Sequence, residues 1–87
     1  DDKKAVIWYR KAADQGLASA QHNVASMYLT GLIDLVEAHM WYSLAADRGH
    51  TTSAATRDFI AKRMSSTQIA EAQDRSAKWR QKKAAGK

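Results

Sequence analysis

Trp8-Tyr9-Arg10-Lys11-Ala12-Ala13-Asp14-Gln15-Gly16 returns as Trp41-Tyr42-Ser43-Leu44-Ala45-Ala46-Asp47-Arg48-Gly49, an offset of 33 residues that also carries Ala5 onto Ala38. Self-similarity at such a period marks a chain built from one supersecondary unit used twice, each unit burying its apolar face against the next. Within each phrase the small and aromatic residues follow helical spacing. Stepping about 100° per residue from Ala5 puts Trp8, Tyr9, Ala12 and Ala13 in one stripe and leaves Arg10, Lys11 and Asp14 outside it. Gly16 and Gly49 then stand where a helix-ending glycine belongs.

Outward from the repeated phrase, Ala20, Val24, Met27 and Tyr28 form the stripe of a second helix that stops near Gly31. The third helix repeats the first through Ala38, Trp41, Tyr42, Ala45 and Ala46. A fourth is predicted from about Thr52 to Met64, with Arg57, Ile60, Ala61 and Met64 on one side. Ser65 and Gln68 spell a capping box, in which each side chain satisfies a backbone donor at the entrance of a fifth helix. Ile69, Ala72, Ser76 and Trp79 give that helix a thin apolar stripe. The fold class is therefore all-α: an α/α superhelical solenoid of two helix pairs, 1–31 and 32–64, with a capping helix at 65–83 and a basic tail at 84–87. It reads as part of, or derived from, a longer array. Small residues dominate every stripe, so the helices must approach closely, with Trp8 and Trp41 expected to supply most of the buried area.

Composition narrows the function classes. There is no cysteine among the 87 residues, so neither a disulfide framework nor a thiolate metal site is available. No apolar run approaches the roughly 18 residues that span a bilayer. The first residues lead straight into a helical pattern, and no signal peptide is read there. The net charge of +5 gathers at one end: Arg75, Lys78, Arg80, Lys82, Lys83 and Lys87 occur with no acid among them. That run can attract nucleic acid or another acidic surface; equally, its cations suit the negative end of a helix dipole. Its one aromatic, Trp79, is not the aromatic interleaving that single-strand binding uses.

Enzyme signatures are weak. His22, His39 and His50 lie far apart in sequence and read as solvated or locally bonded side chains, with no metal-ligand set. Ser43 and Ser53 are read as lacking a histidine partner, and there is no phosphate-cradling glycine loop or nucleophile elbow. The chain is read as non-enzymatic, with no cofactor and no metal.

Ala5, Trp8, Tyr9, Ala12, Ala13 and Gly16, continued by Ala20, Gln21, Asn23, Val24, Met27, Tyr28 and Gly31, resemble the Sel-one-like repeat family, a tetratricopeptide-like α/α solenoid. The stretch from Ala54 to Trp79, through Arg57-Asp58, Met64-Ser65 and Gln68-Ile69-Ala70-Glu71-Ala72-Gln73, looks like the closing segment of bacterial members. The resemblance implies a protein–protein interaction scaffold whose concave face, lined by the first helix of each pair, takes partner segments. On that face this chain would offer Val6, Arg10, His39 and Ser43. It also implies bacterial adaptors, with cytoplasm and periplasm both compatible. Binding of nucleic acid or an acidic surface through the basic C-terminal helix is the alternative.

Two departures from the family pattern stand out. Ala25 occupies a position where glycine is usual. The linker between the second and third helices is short, Gly31-Leu32-Ile33-Asp34 in place of Gly-x-Gly-Val-Pro-x-Asp. Either it turns at Gly31 with Asp34 capping the third helix, or the two helices run together and the halves pair with a second chain as a domain-swapped homodimer. Leu32, Ile33 and the outward-facing Ile7 are the candidate self-association residues. Met40 and Leu44, also outside the main stripe, are expected under the capping helix.

Overall fold

The computed structural model describes residues 2–31 and 33–86. They form five helices: α1 Asp2–Asp14, α2 Ala18–Thr30, α3 Leu35–Asp47, α4 Thr51–Ala61 and α5 Ser66–Ala85. No strand occurs among the described residues. Helix α1 packs on α2, α2 on α3, and α3 on both α4 and α5.

The repeated phrase ends twice in the same way. Gly16 takes φ 89° and Gly49 φ 85°, the left-handed conformation that costs a residue with a Cβ about 1–2 kcal/mol. Around each, two bonds close a Schellman motif: Gly16 N–H donates to Ala13 at 2.9 Å and Leu17 N–H to Ala12 at 3.4 Å, matched by Gly49 to Ala46 at 2.9 Å and His50 to Ala45 at 3.2 Å.

The α2–α3 connection is a turn. Asp34 Oδ1 accepts the Glu37 N–H at 3.1 Å, and Asp34 N–H donates back to Tyr28 at 2.7 Å. The continuous helix considered from sequence does not form, because the capped start at Asp34 lets α3 fold back on α2. Gly31 ends α2 in ordinary right-handed geometry, φ −90°; the left-handed residue is Ile33, at φ 52°. Leu32 lies outside the described residues.

Helix α4 ends at Ala61, short of the expected Met64, and a turn then carries Met64 into the core. The capping box at α5 forms as its sequence requires: Ser65 Oγ accepts the Gln68 N–H at 3.1 Å and Gln68 Oε1 accepts the Ser65 N–H at 2.9 Å. The helix runs on to Ala85, so the tail expected from residue 84 starts as its last turn.

Helix α3 is the centre of the molecule. Val36 and Ala38 through Ala45 are all buried, including Met40 and Leu44, beside the α5 helix packed on α3. Burying an indole such as Trp41, which is 0 % exposed, removes about 150–250 Å² from water, roughly 4–6 kcal/mol before entropic costs. The matching Trp8 corrects the expectation drawn from the phrase: it is 73 % exposed, and Tyr9 41 %. Helix α1 buries Val6 and Ala13 against α2, and no described helix covers its Trp8 side. Trp41 instead meets α5 through Trp79, ring centroids 6.2 Å apart and edge to face.

Candidate functional site

Helices α1, α3 and α5 enclose a groove at their C-terminal ends. Three polar ties set its walls. Trp79 of α5 donates its indole N–H to Asp14 Oδ1 of α1 at 3.3 Å. Arg80 donates to Asp47 Oδ2 of α3 at 2.7 Å. Farther along the same helices, Glu37 of α3 receives Arg75 Nη1 at 2.6 Å and the Trp41 indole N–H at 3.2 Å. Arg75 also donates to Glu71 at 2.9 Å. These two carboxylates hold its guanidinium above the usual arginine range, Glu71 being the larger influence.

The groove so formed is open and about 910 Å³ in volume. Its apolar floor comes from Leu44 and Trp79, and its rim carries Arg10, Arg48, Arg80, Lys82 and Lys83 with Asp14 and Asp47. Arg10 bridges back to the repeat body, donating to the Tyr28 hydroxyl at 3.3 Å and lying 5.8 Å from the Trp41 ring centre. Lys83 lies 5.6 Å from the Trp79 ring centre, within the range where a cation is drawn to an aromatic face. The Arg48 guanidinium rests against Gly16, where any Cβ would collide with it.

Of the residues assigned to the concave face from sequence, only Arg10 is exposed and on this groove. Val6 is buried, as are His39 and Ser43. The resemblance put them on an open concave face, but Val6 lies on the buried side of α1, and α3 is packed against α2, α4 and α5, so His39 and Ser43 face neighbouring helices. His39 and Ser43 border a separate recess of about 420 Å³ with Arg57, Asp58, Gln73 and Arg80. There burial, then repulsion from Arg57, holds the His39 imidazole below its ordinary pKa, with Asp58 pulling the other way. Ile7 and Ile33 are exposed; Leu32 lies outside the described residues.

Sequence reading missed Arg48, Lys82 and Lys83 as groove residues and named Trp79 only as part of a cap. Among the six C-terminal cations, Arg75, Lys78 and Arg80 are paired with carboxylates. Those pairs neutralise part of the basic run on which nucleic-acid binding would draw.

The histidines are less isolated than their spacing implied. His50 caps α4 through Nδ1, which accepts the Ser53 N–H at 3.2 Å. The Ser53 hydroxyl lies 2.9 Å from that nitrogen and 2.8 Å from His22 Nδ1, and the two imidazoles stack with centroids 4.6 Å apart. Ser53 therefore has histidines on two sides, contrary to the sequence reading. It is 0 % exposed, closed to any substrate, and its hydroxyl joins α2 to the start of α4. Burial, and secondarily His50, holds His22 below its ordinary pKa. Among the described residues no three metal-ligating side chains gather, and no helix is long and apolar enough to cross a membrane.

The Sel1 repeat family model matches residues 1–17 and 18–50, together more than half of the chain. The second match spans α2 and α3, the same period phased one helix later than the pairing of α1 with α2. No curated protein and no solved structure matches.

Proposed function

We propose that this chain, which belongs to the Sel1 repeat family and so to a class of helical repeats that generally serve as protein–protein interaction modules, docks a partner polypeptide segment in the groove between α1 and α5, over α3. It acts as a non-catalytic scaffold, with 1–31 and 32–64 as its repeat units and α5 as their closing helix. The observation that carries the reading is the open groove itself: an indole and a leucine at its floor, charged groups at its rim, and ties at Asp14 and Asp47 that fix its width. A concave surface with an apolar floor and a few convergent polar groups is where ligands gain most from desolvation. Arg10 is the one sequence-assigned contact residue carried into this site.

The test is panning of a random 12-residue peptide library on the wild-type protein, followed by binding to Ala84→Trp. Ala84 is exposed on the groove wall, so the bulky indole fills the groove without entering the core. Enriched peptides should lose at least tenfold in affinity for the filled variant and shift the Trp79 indole N–H resonance. A library yielding no peptide sensitive to Ala84→Trp refutes docking at this site.

A further inference from the structure

We infer that the segment accepted by this groove is acidic: a peptide with carboxylates on both sides of an apolar residue that rests on Trp79 and Leu44. The inference depends on the groove being the docking site and goes further, to the chemistry of the partner.

Charge decides it. The rim sets five cations, Arg10, Arg48, Arg80, Lys82 and Lys83, against two carboxylates. Both carboxylates are already engaged by side chains of the groove itself, Asp14 by the Trp79 indole and Asp47 by Arg80. Among the described residues no carboxylate pairs with Arg48, Lys82 or Lys83. One effect opposes an anion here. Helices α1, α3 and α5 all end at this groove, and each C-terminus carries about half a negative charge, roughly −1.5 in all. The rim excess of three positive charges is about twice that, so the field in the groove stays positive, and low-dielectric walls focus it.

The layout also favours a peptide over a polynucleotide. The rim places cations on all three helices around one apolar floor, which suits alternating carboxylate and apolar side chains. A single-stranded nucleic acid gains its affinity from successive bases stacked on several aromatic rings, and the floor offers one indole with two carboxylates in the wall.

The experiment reads the net charge of the library peptides whose binding Ala84→Trp abolishes. They should be negative. The tightest of them, fluorescein-labelled, should bind at least tenfold more weakly to the double variant Lys82→Glu/Lys83→Glu and more weakly as salt is raised. Both lysines are exposed in the last turn of α5, where two glutamates oppose the helix dipole only locally, so circular dichroism should show no loss of helix beyond that turn. Substituting every acid of that peptide by lysine should abolish binding to wild type and restore it to the double variant. Groove-sensitive peptides that are neutral or basic, or an affinity indifferent to the charge reversal, overturn the acidic partner and leave groove docking standing. A labelled 12-residue thymidine strand binding as tightly as the best peptide, with the same sensitivity to Ala84→Trp, overturns the inference in favour of nucleic acid. Absence of any groove-sensitive peptide removes the docking reading and this inference with it.

Discussion

Glu37 should be among the costliest single positions to truncate outside the apolar core. Its side chain is only 15 % exposed. One oxygen holds Arg75 of α5 and the other the indole N–H of Trp41, whose ring is wholly buried. Glu37→Ala removes both acceptors. An indole N–H left without a partner in a closed site costs about 1–3 kcal/mol. Arg75 is 38 % exposed and keeps Glu71, so its loss is discounted for solvent to about 1 kcal/mol. The expected total is about 2–4 kcal/mol, which for a domain of this size lowers Tm by roughly 10–25 °C. Urea unfolding followed by circular dichroism measures it, with an unchanged slope showing that the cost is one of stability. Glu37→Gln keeps one acceptor and should lose about 1–2 kcal/mol. The deciding control is Trp41→Phe, which removes the donor: combined with Glu37→Ala it should show a coupling of about 1 kcal/mol or more. If Glu37→Ala costs less than about 0.5 kcal/mol, the level of an ordinary surface change, or the cycle shows no coupling, water reaches the indole and the tie between α3 and α5 carries little.

Three further outcomes follow from the same contacts. Trp41→Ala should cost about 3–5 kcal/mol, whereas Trp8→Ala should cost no more than about 1 kcal/mol, the worth of its contact with Lys11; equal costs in urea titrations would contradict the difference in burial. His22 and His39 are both held below the ordinary histidine value of about 6.5, so just below that pH the unfolded chain binds more protons and stability falls on acidification. The urea midpoint should therefore drop between pH 7.5 and 5.5, and drop less in His22→Asn/His39→Gln; a midpoint that rises overturns the argument. Ile33→Gly should stabilise the chain by about 1 kcal/mol, since the left-handed backbone costs a β-branched residue about 1–2 kcal/mol and a side chain 76 % exposed gives up little packing; a lower urea midpoint would refute it.

The helix count, and the helix ends that a glycine or a cap marks, were legible because they are local; the end of α4 was read three residues too far. Gly16, Gly49, Asp34 and the Ser65–Gln68 box each act within a few residues of themselves, and each forms the turn or cap its chemistry demands. Burial was legible only in part. Periodicity identifies which side of a helix is apolar, but not whether a neighbour covers it; thus one Trp-Tyr phrase yields a buried pair in α3 and an exposed pair in α1. The same gap misplaced Val6, His39 and Ser43, which were read on an open face and lie under adjacent helices. The groove was least legible. Arg10, Arg48 and Lys83 come from three helices far apart in sequence, and nothing local to any of them signals the other two. Its clearest trace was the unbalanced charge of the last thirteen residues, of which the fold pairs Arg75, Lys78 and Arg80 with Glu37, Asp47, Glu71 and Asp74.

The α2–α3 turn also bears on whether the chain swaps. The family pattern of the linker has a second glycine where Ile33 stands, and Ile33 is the residue that takes the left-handed backbone. Its strain, about 1–2 kcal/mol, is what a continuous α2–α3 rod would relieve. Within one chain the rod loses outright. It would expose Val24 and Val36, now in the core, each worth about 1.5–3 kcal/mol when fully buried. In a swapped pair the second chain covers those faces, so the burial terms cancel and two relieved hinges favour the dimer by about 2–4 kcal/mol. Association costs about 4–15 kcal/mol of lost translational and rotational freedom at a 1 M standard state. At micromolar protein, dilution adds about 8 kcal/mol more. The turn therefore wins, and light scattering over a micromolar concentration series should return 9.7 kDa. A dimer that Ile33→Gly abolishes would show the hinge strain to be larger than its backbone angle implies. A dimer that survives Ile33→Gly and yields to Ile7→Lys would place the contact on the exposed side of α1 instead.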